Sequence, residues 1–181
     1  MSSSLPAVLV TGASSGIGAT YADRFARRGH DLVLVARNEA RMETLAERLR
    51  RDTGVNIDVL PADLTVSEEI GRVEARLRRD GRIGILVNNA GAAAPGGLDT
   101  ADIDVWDRLL QLNVVAVTRL AGAALPRFLA RGDAAIINLS SMLGLAPEVS
   151  ASIYTATKAY VLSLSQSLQV AFGQRGLYVQ A

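Results

Sequence analysis

The sequence predicts a doubly wound α/β domain, a parallel sheet with helices on both faces, and three observations carry that prediction. Short Val/Ile/Leu-rich runs alternate with longer segments of helical period along the chain. A glycine-rich stretch from Gly12 to Gly18 lies between the first run and the first helical segment. With 181 residues, 49% of them hydrophobic and 20% charged, the chain has the size and the apolar material of one buried core.

The elements follow in order. Residues 7–10 form an uninterrupted apolar strand, and a helix over 16–28 ends at Gly29. Residues 31–36 give the second strand, followed by a helix over 38–51 for which Gly54 is the terminator. The third strand spans 56–60. Ser67, with Glu68 and Glu69 behind it, predicts the N-cap and acidic first turn of a helix over 67–80. The fourth strand is 83–87. A long helical segment covers 100–131, with an early break left open. Residues 134–139 form the fifth strand, 150–174 a helix, and a sixth strand begins near Leu177. No repeat, linker or low-complexity stretch interrupts this order, and in such sheets the ligand lies beyond the strands' C-terminal ends.

Composition removes several function classes. With no Cys and one His, the chain has no disulfides, no thiolate nucleophile, no Cys-ligated zinc and no multi-histidine metal site. His30, between Arg27-Arg28-Gly29 and Asp31, reads as a turn or strand-start residue. A net charge of +1 and 4% aromatics argue against nucleic acid and against an anionic membrane. No apolar run approaches the ~20 residues of a membrane span. The N-terminus lacks a cationic segment and a cleavage pattern, so the expectation is a cytoplasmic protein.

The chemistry concentrates at strand ends. After the first strand, Thr11-Gly12-Ala13-Ser14-Ser15-Gly16-Ile17-Gly18 opens a helix. Glycines there permit a tight turn, and free N–H groups at the helix start can receive a pyrophosphate. No Lys-Ser/Thr pair follows, so dinucleotide binding is favoured over triphosphate hydrolysis. The second strand closes on Ala36-Arg37. An acidic residue there would bind the ribose hydroxyls of NAD, whereas Arg37 can pair with the 2′-phosphate of NADP, which predicts NADP(H) over NAD(H). Tyr154 and Lys158, spaced i and i+4, share one helical face. A cation beside a phenol favours the phenolate, bringing a group whose ordinary pKa is ~10 into use as an acid or base. Asn113 falls on the apolar stripe of Ile103, Trp106, Leu110, Val117, Leu120 and Ala124, so its amide requires partners. Trp106 reads as core.

These features, together with Asp63-Leu64, Asn88-Asn89-Ala90-Gly91 and Ser140-Ser141, resemble the short-chain dehydrogenase/reductase family in order and spacing from about residue 6 to the last residue. The resemblance implies a Rossmann-type single domain over residues 1–181. It places Gly12, Ser14, Ser15, Gly16, Ile17, Gly18 and Arg37 on the cofactor's phosphates, Asp63 and Leu64 at its adenine, and Asn88, Ala90 and Gly91 along its border. It assigns Asn113, Ser141, Tyr154 and Lys158 as the catalytic set. Ser141 lies 13 positions before Tyr154, with Ser140 as the fallback. In the family's mechanism the serine holds the substrate oxygen and the tyrosine transfers the proton. The lysine also binds the nicotinamide ribose, and the asparagine joins a water relay to it.

Family members usually continue through a Pro-Gly turn, a substrate-covering segment and a seventh strand, so the chain reads as C-terminally truncated. The loops 92–97 and 142–149 are small and apolar, which suits an uncharged carbonyl or alcohol substrate. Steroid, sugar, acyl-thioester and xenobiotic ketones all stay open. The helix ending near Phe172 is apolar on more than one face, and a homodimer or homotetramer is expected. The alternative is a dinucleotide-binding module without turnover, either a redox sensor or an inactive truncated product.

Overall fold

A computed structural model describes residues 5–93, 99, 102–149 and 152–181. Its strands are β1 (Ala7–Thr11), β2 (Leu32–Ala36), β3 (Ile57–Pro61), β4 (Ile83–Asn88), β5 (Ala134–Asn138) and β6 (Leu177–Gln180). Its helices are α1 (Gly16–Ala26), α2 (Glu39–Thr53), α3 (Ser67–Arg79), α4 (Ile103–Leu110), α5 (Val117–Arg131) and α6 (Ile153–Phe172). The six strands form one sheet in the order β3-β2-β1-β4-β5-β6, and every pairing is parallel. The chain winds outward in one direction from β1 and in the other from β4. Their junction is the switch point at which an open α/β sheet leaves a crevice.

Alternation along the strands explains the two layers. Leu9 of β1 and Val33 and Val35 of β2 face one side, packing with Leu77 of α3, Leu120 and Phe128 of α5 and Leu168 of α6. Val8 and Val10 face the other side, with Ala22 and Ala26 of α1 and Met42, Ala46 and Leu49 of α2. β1 is buried along its whole length, as expected of a central parallel strand covered twice. β6 is not: Leu177 and Val179 are buried while Tyr178 and Gln180 are exposed, so only one of its faces is covered by the described residues.

Helix ends follow local chemistry. The Asn38 side chain caps α2 by accepting from the Arg41 N–H, and Gly54 ends that helix in the left-handed conformation. For α3 the expectation is corrected by one residue. Val66 is the cap position and makes no side-chain cap, while Ser67 is already helical with Glu68 and Glu69 in the first turn. α6 begins after Ser152, whose hydroxyl accepts from the Thr155 N–H; the expected start at Ser150 lies outside the described residues.

From Ile103 onward the long helical segment does not break. Residues 103–131 run as one helix of 29 residues, and its irregularity is a π-helical stretch, Gln111–Ala116, between α4 and α5. By length and composition this helix is apolar enough to cross a membrane, which a search for uninterrupted apolar residues does not reveal. Its apolar side is accounted for by the sheet: Leu120, Ala124 and Phe128 are fully buried against it. The α4 end projects past the sheet onto α6. There Ile103 is 70% exposed and Trp106 is only half-buried, so the expectation of Trp106 as core is corrected. His30 has the bland role expected of it, with Nδ1 2.8 Å from the Pro6 carbonyl.

Candidate active site

A cleft of about 660 Å³ opens along the C-terminal ends of β1, β2, β3, β4 and β5. Gly12, Ser14, Ser15 and Ile17 form its floor. Arg37, Asn38 and Arg41 stand at one end with Asp63, Leu64 and Thr65, and Ser140, Tyr154 and Lys158 stand at the other. Segments more than a hundred residues apart thus meet because parallel strands deliver all their C-termini to one edge.

The glycine turn is shaped by close backbone approach. Gly12 has φ +65, and a Cβ on Gly18 would sit 2.3 Å from the Gly12 carbonyl oxygen and 2.5 Å from Asn89 Nδ2. Asn89 clasps the turn from β4, donating to the carbonyls of Thr11 (2.9 Å) and Gly12 (3.2 Å). Thr11 returns the contact: its hydroxyl accepts from the Asn89 and Ala90 N–H groups, each at 3.0 Å. Gly16 and Gly18 shape the turn without lining the cleft.

Asn88 departs from the expectation. It is 3% exposed and turns away from the cleft, its Nδ2 donating to Asn138 Oδ1 at 2.9 Å. Asn138, its register partner on β5, donates onward to Ser165 of α6 at 2.9 Å. This buried chain fastens α6 to the sheet, and Asn89, the next residue, takes the cleft position. The reason is strand alternation: consecutive side chains face opposite ways.

At the adenosine end, Asp63 accepts from the Thr65 N–H (2.9 Å) and hydroxyl (2.7 Å). These bonds and Arg37 hold its carboxyl below the usual range against the opposing effect of burial. Arg37 is 81% exposed and lies 4.0 Å from Asp63. Arg41, which sequence reasoning passed over, also lines the cleft, and its guanidinium has no partner among the described residues. A cation in the first turn of a helix opposes the helix dipole, and that local conflict was the available signal. Two exposed guanidinium groups beside the glycine turn could hold a phosphate group of a dinucleotide.

At the other end, Lys158 is buried, its ammonium donating to the Leu139 carbonyl and lying 5.6 Å from the centre of the Tyr154 ring. Burial pushes its pKa below the ordinary lysine value. The Tyr154 hydroxyl makes no hydrogen bond among the described residues. The two serines separate by geometry. Ser140 lines the cleft, but its hydroxyl donates to the Lys158 carbonyl at 2.8 Å. Ser141 accepts from the Leu143 N–H at 3.2 Å, which leaves its O–H hydrogen unengaged among the described residues.

Asn113 has the partners its buried position demands. Its Oδ1 accepts from Ala92 N–H (3.0 Å), and its Nδ2 donates to the Ala92 carbonyl (2.8 Å) and to the Thr157 hydroxyl (3.1 Å). Both amide hydrogens are therefore committed to holding the chain in place. No group of three or more His, Asp or Glu side chains able to hold a metal occurs among the described residues.

Comparison with known proteins accords with this geometry. The family profile described as short chain dehydrogenase matches residues 6–181. An uncharacterized oxidoreductase of Staphylococcus saprophyticus is 33% identical over 172 residues, covering 94% of this chain and 74% of that protein. The bulky-bulky ketone specific alcohol dehydrogenase from Comamonas testosteroni is 54% identical with a TM-score of 0.96, covering 99% of this chain and 72% of that one. A short-chain dehydrogenase from Sphingobium yanoikuyae in complex with NADPH is 57% identical with a TM-score of 0.96, covering 98% and 70%. The matched length, the sheet order and the cleft at its switch point establish the chain as a member of the short-chain dehydrogenase family of oxidoreductases.

Proposed function

We propose that this protein is an NADP(H)-dependent oxidoreductase that interconverts an uncharged, bulky ketone and its secondary alcohol. The carrying observation is a single cleft with Arg37 and Arg41 at one end and Tyr154 and Lys158 at the other. The Sphingobium relative, in complex with NADPH, supports the cofactor. The Comamonas relative, specific for bulky-bulky ketones, supports the substrate class. So do the side chains of Met142, Leu145 and Val149, which stand 71% to 84% exposed on the loop after β5.

Arg37, Arg41, Ser14 and Ser15 would hold the phosphates, Asp63 and Leu64 the adenosine, and Lys158 the nicotinamide ribose. When bound, the nicotinamide supplies or accepts the hydride at the substrate carbon. Ser141 donates its free O–H to the substrate oxygen and fixes it within reach of Tyr154. Tyr154 gives that oxygen a proton in reduction and removes it in oxidation. Lys158, held in place by Leu139, stabilises the phenolate left behind through its positive charge. Ser140 ties the strand end to α6 and takes no part in proton transfer. A second copy docking against the exposed apolar side chains of α4 and α6 completes the proposed homo-oligomer.

The reading is tested by titrating the protein with NADPH and NADH, following energy transfer from Trp106, and then assaying bulky ketones with Tyr154→Phe as the control. Tighter binding of NADPH, with turnover abolished in the variant and NADPH binding intact, is expected. Equal affinity for NADH overturns the cofactor assignment, and undiminished turnover in Tyr154→Phe overturns the proton-transfer role.

A further inference from the structure

We propose that Thr157 is a positioning residue that locks the turn carrying Tyr154 and Lys158 to the wall of the cleft through Asn113; this rests on the proton-transfer role proposed above for Tyr154. Thr157 is 1% exposed and lies between the two functional residues of that turn. Its hydroxyl donates to the Tyr154 carbonyl at 2.7 Å and accepts from Asn113 Nδ2 at 3.1 Å. A buried threonine commonly bonds back to its own helix. The second bond sets this one apart, because Asn113 belongs to another helix and is itself clasped on both sides of Ala92.

The bridge joins three segments. Asn113 lies in the π-helical stretch Gln111–Ala116, an irregularity typical of functional sites. Ala92 follows Gly91, and both line the cleft. A side chain on Gly91 would meet Asn113 Oδ1 at 3.2 Å and Lys158 Nζ at 3.5 Å, so the wall, the clasp and the lysine are packed side by side. Fixing Asn113 to Thr157 therefore fixes where the Tyr154 and Lys158 side chains stand relative to the cleft wall at Gly91 and Ala92. Without the hydroxyl, the buried Asn113 loses one of its amide partners, and the turn and the wall are no longer tied to each other.

Three variants test this in the full chain. Thr157→Val keeps the shape and removes both bonds; Thr157→Ser keeps both. For Thr157→Val we expect kcat for ketone reduction to fall about ten- to a hundred-fold, the cost of a small misplacement of reacting groups. NADPH affinity should change far less, and the alkaline limb of the pH profile for reduction should shift. Thr157→Ser should restore the wild-type rate and profile. In a double-mutant cycle, adding Thr157→Val to Asn113→Ala should cost little more than Asn113→Ala alone, since both cut one bridge. Independently of activity, the Ala92 amide hydrogen should exchange faster in Thr157→Val than in the wild type or Thr157→Ser.

A Thr157→Val protein with wild-type kcat, pH profile and Ala92 protection overturns the proposal, as does full additivity with Asn113→Ala. Should the valine variant melt below the assay temperature, Thr157→Cys, with its weaker thiol hydrogen bonds, takes its place, and threonine-like turnover and exchange there overturn it equally. If Tyr154→Phe remains active, the proton-transfer reading fails by itself, and Ala92 exchange still reports whether the bridge exists.

Discussion

Replacing Gly18 with alanine should damage the nucleotide turn far more than its single added methyl suggests. The new Cβ would stand 2.3 Å from the Gly12 carbonyl oxygen, 2.8 Å from its carbon and 2.5 Å from Asn89 Nδ2, where ordinary contact begins at 3.4 Å. The Gly12 carbonyl must retreat by about 1 Å, and it has no free direction. Asn89 holds it and the Thr11 carbonyl together, and Thr11 is in turn hydrogen-bonded to β4 through Val87, Asn89 and Ala90. Overpacking of this kind costs ~1–3 kcal/mol, and each strained or lost hydrogen bond adds ~0.5–1.5 kcal/mol. A total of about 2–4 kcal/mol divides between folding and binding. NADPH affinity should fall at least ten-fold, the equivalent of about 1.4 kcal/mol, with a lowered Tm. Gly71→Ala is the matched control: it lies inside α3 with nothing within 4 Å of the added methyl, and should stabilise by ~0.5–1 kcal/mol. The readouts are a fluorescence titration and a thermal melt of each variant. A Gly18→Ala protein that binds NADPH like the wild type and melts at the same temperature would refute the close-approach reasoning.

Further outcomes follow from named contacts. Asp80, paired with Arg82 and Arg76, has its carboxyl pKa lowered to about 2, chiefly by the Arg82 hydrogen bond. The unfolded chain binds more protons than the native one between the ordinary value and that value. The stabilisation of about 2 kcal/mol is therefore complete above pH ~4 and lost as pH falls through about 2. Denaturation of Asp80→Asn across that window should show a shallower pH dependence, and an unchanged slope would remove Asp80 as its source. Phe128, 0% exposed, should cost ~3–5 kcal/mol as Phe128→Ala in urea unfolding; a loss under about 1 kcal/mol would mean that the α5 contact with the sheet collapses around the gap. Ser141→Ala should abolish ketone turnover while Ser140→Ala mainly lowers Tm, and the reverse pattern would show that the hydroxyl engaged with Lys158 is the one that meets substrate.

The sequence alone determined those features that are encoded within a few residues of one another. Apolar runs of strand length, the glycine turn before α1 and the i, i+4 spacing of Tyr154 and Lys158 are local, and each carries its geometry with it. Their order was enough to identify the sheet, the edge along which the cleft opens and the family. What needed the tertiary structure were relations between segments brought together by the topology. Asn88 and Asn138, 50 residues apart, pair because β4 and β5 are neighbours in register, and this turned Asn88 away from the cleft. Ser140 lines the cleft and meets a carbonyl from α6, 18 residues onward, whereas Ser141 accepts from the Leu143 N–H, a division that no local pattern reveals. Trp106 followed the apolar stripe of its helix and yet is only partly buried, because periodicity specifies a face but not how far the sheet extends beneath it. Asn113 had to have partners, and the sequence could say so from the periodicity of its apolar stripe. That they are Ala92 and Thr157 was decided only when the loop after β4 and the N-terminal part of α6 met across the π-helical stretch, since a hydrogen bond is satisfied by proximity in space and not in sequence.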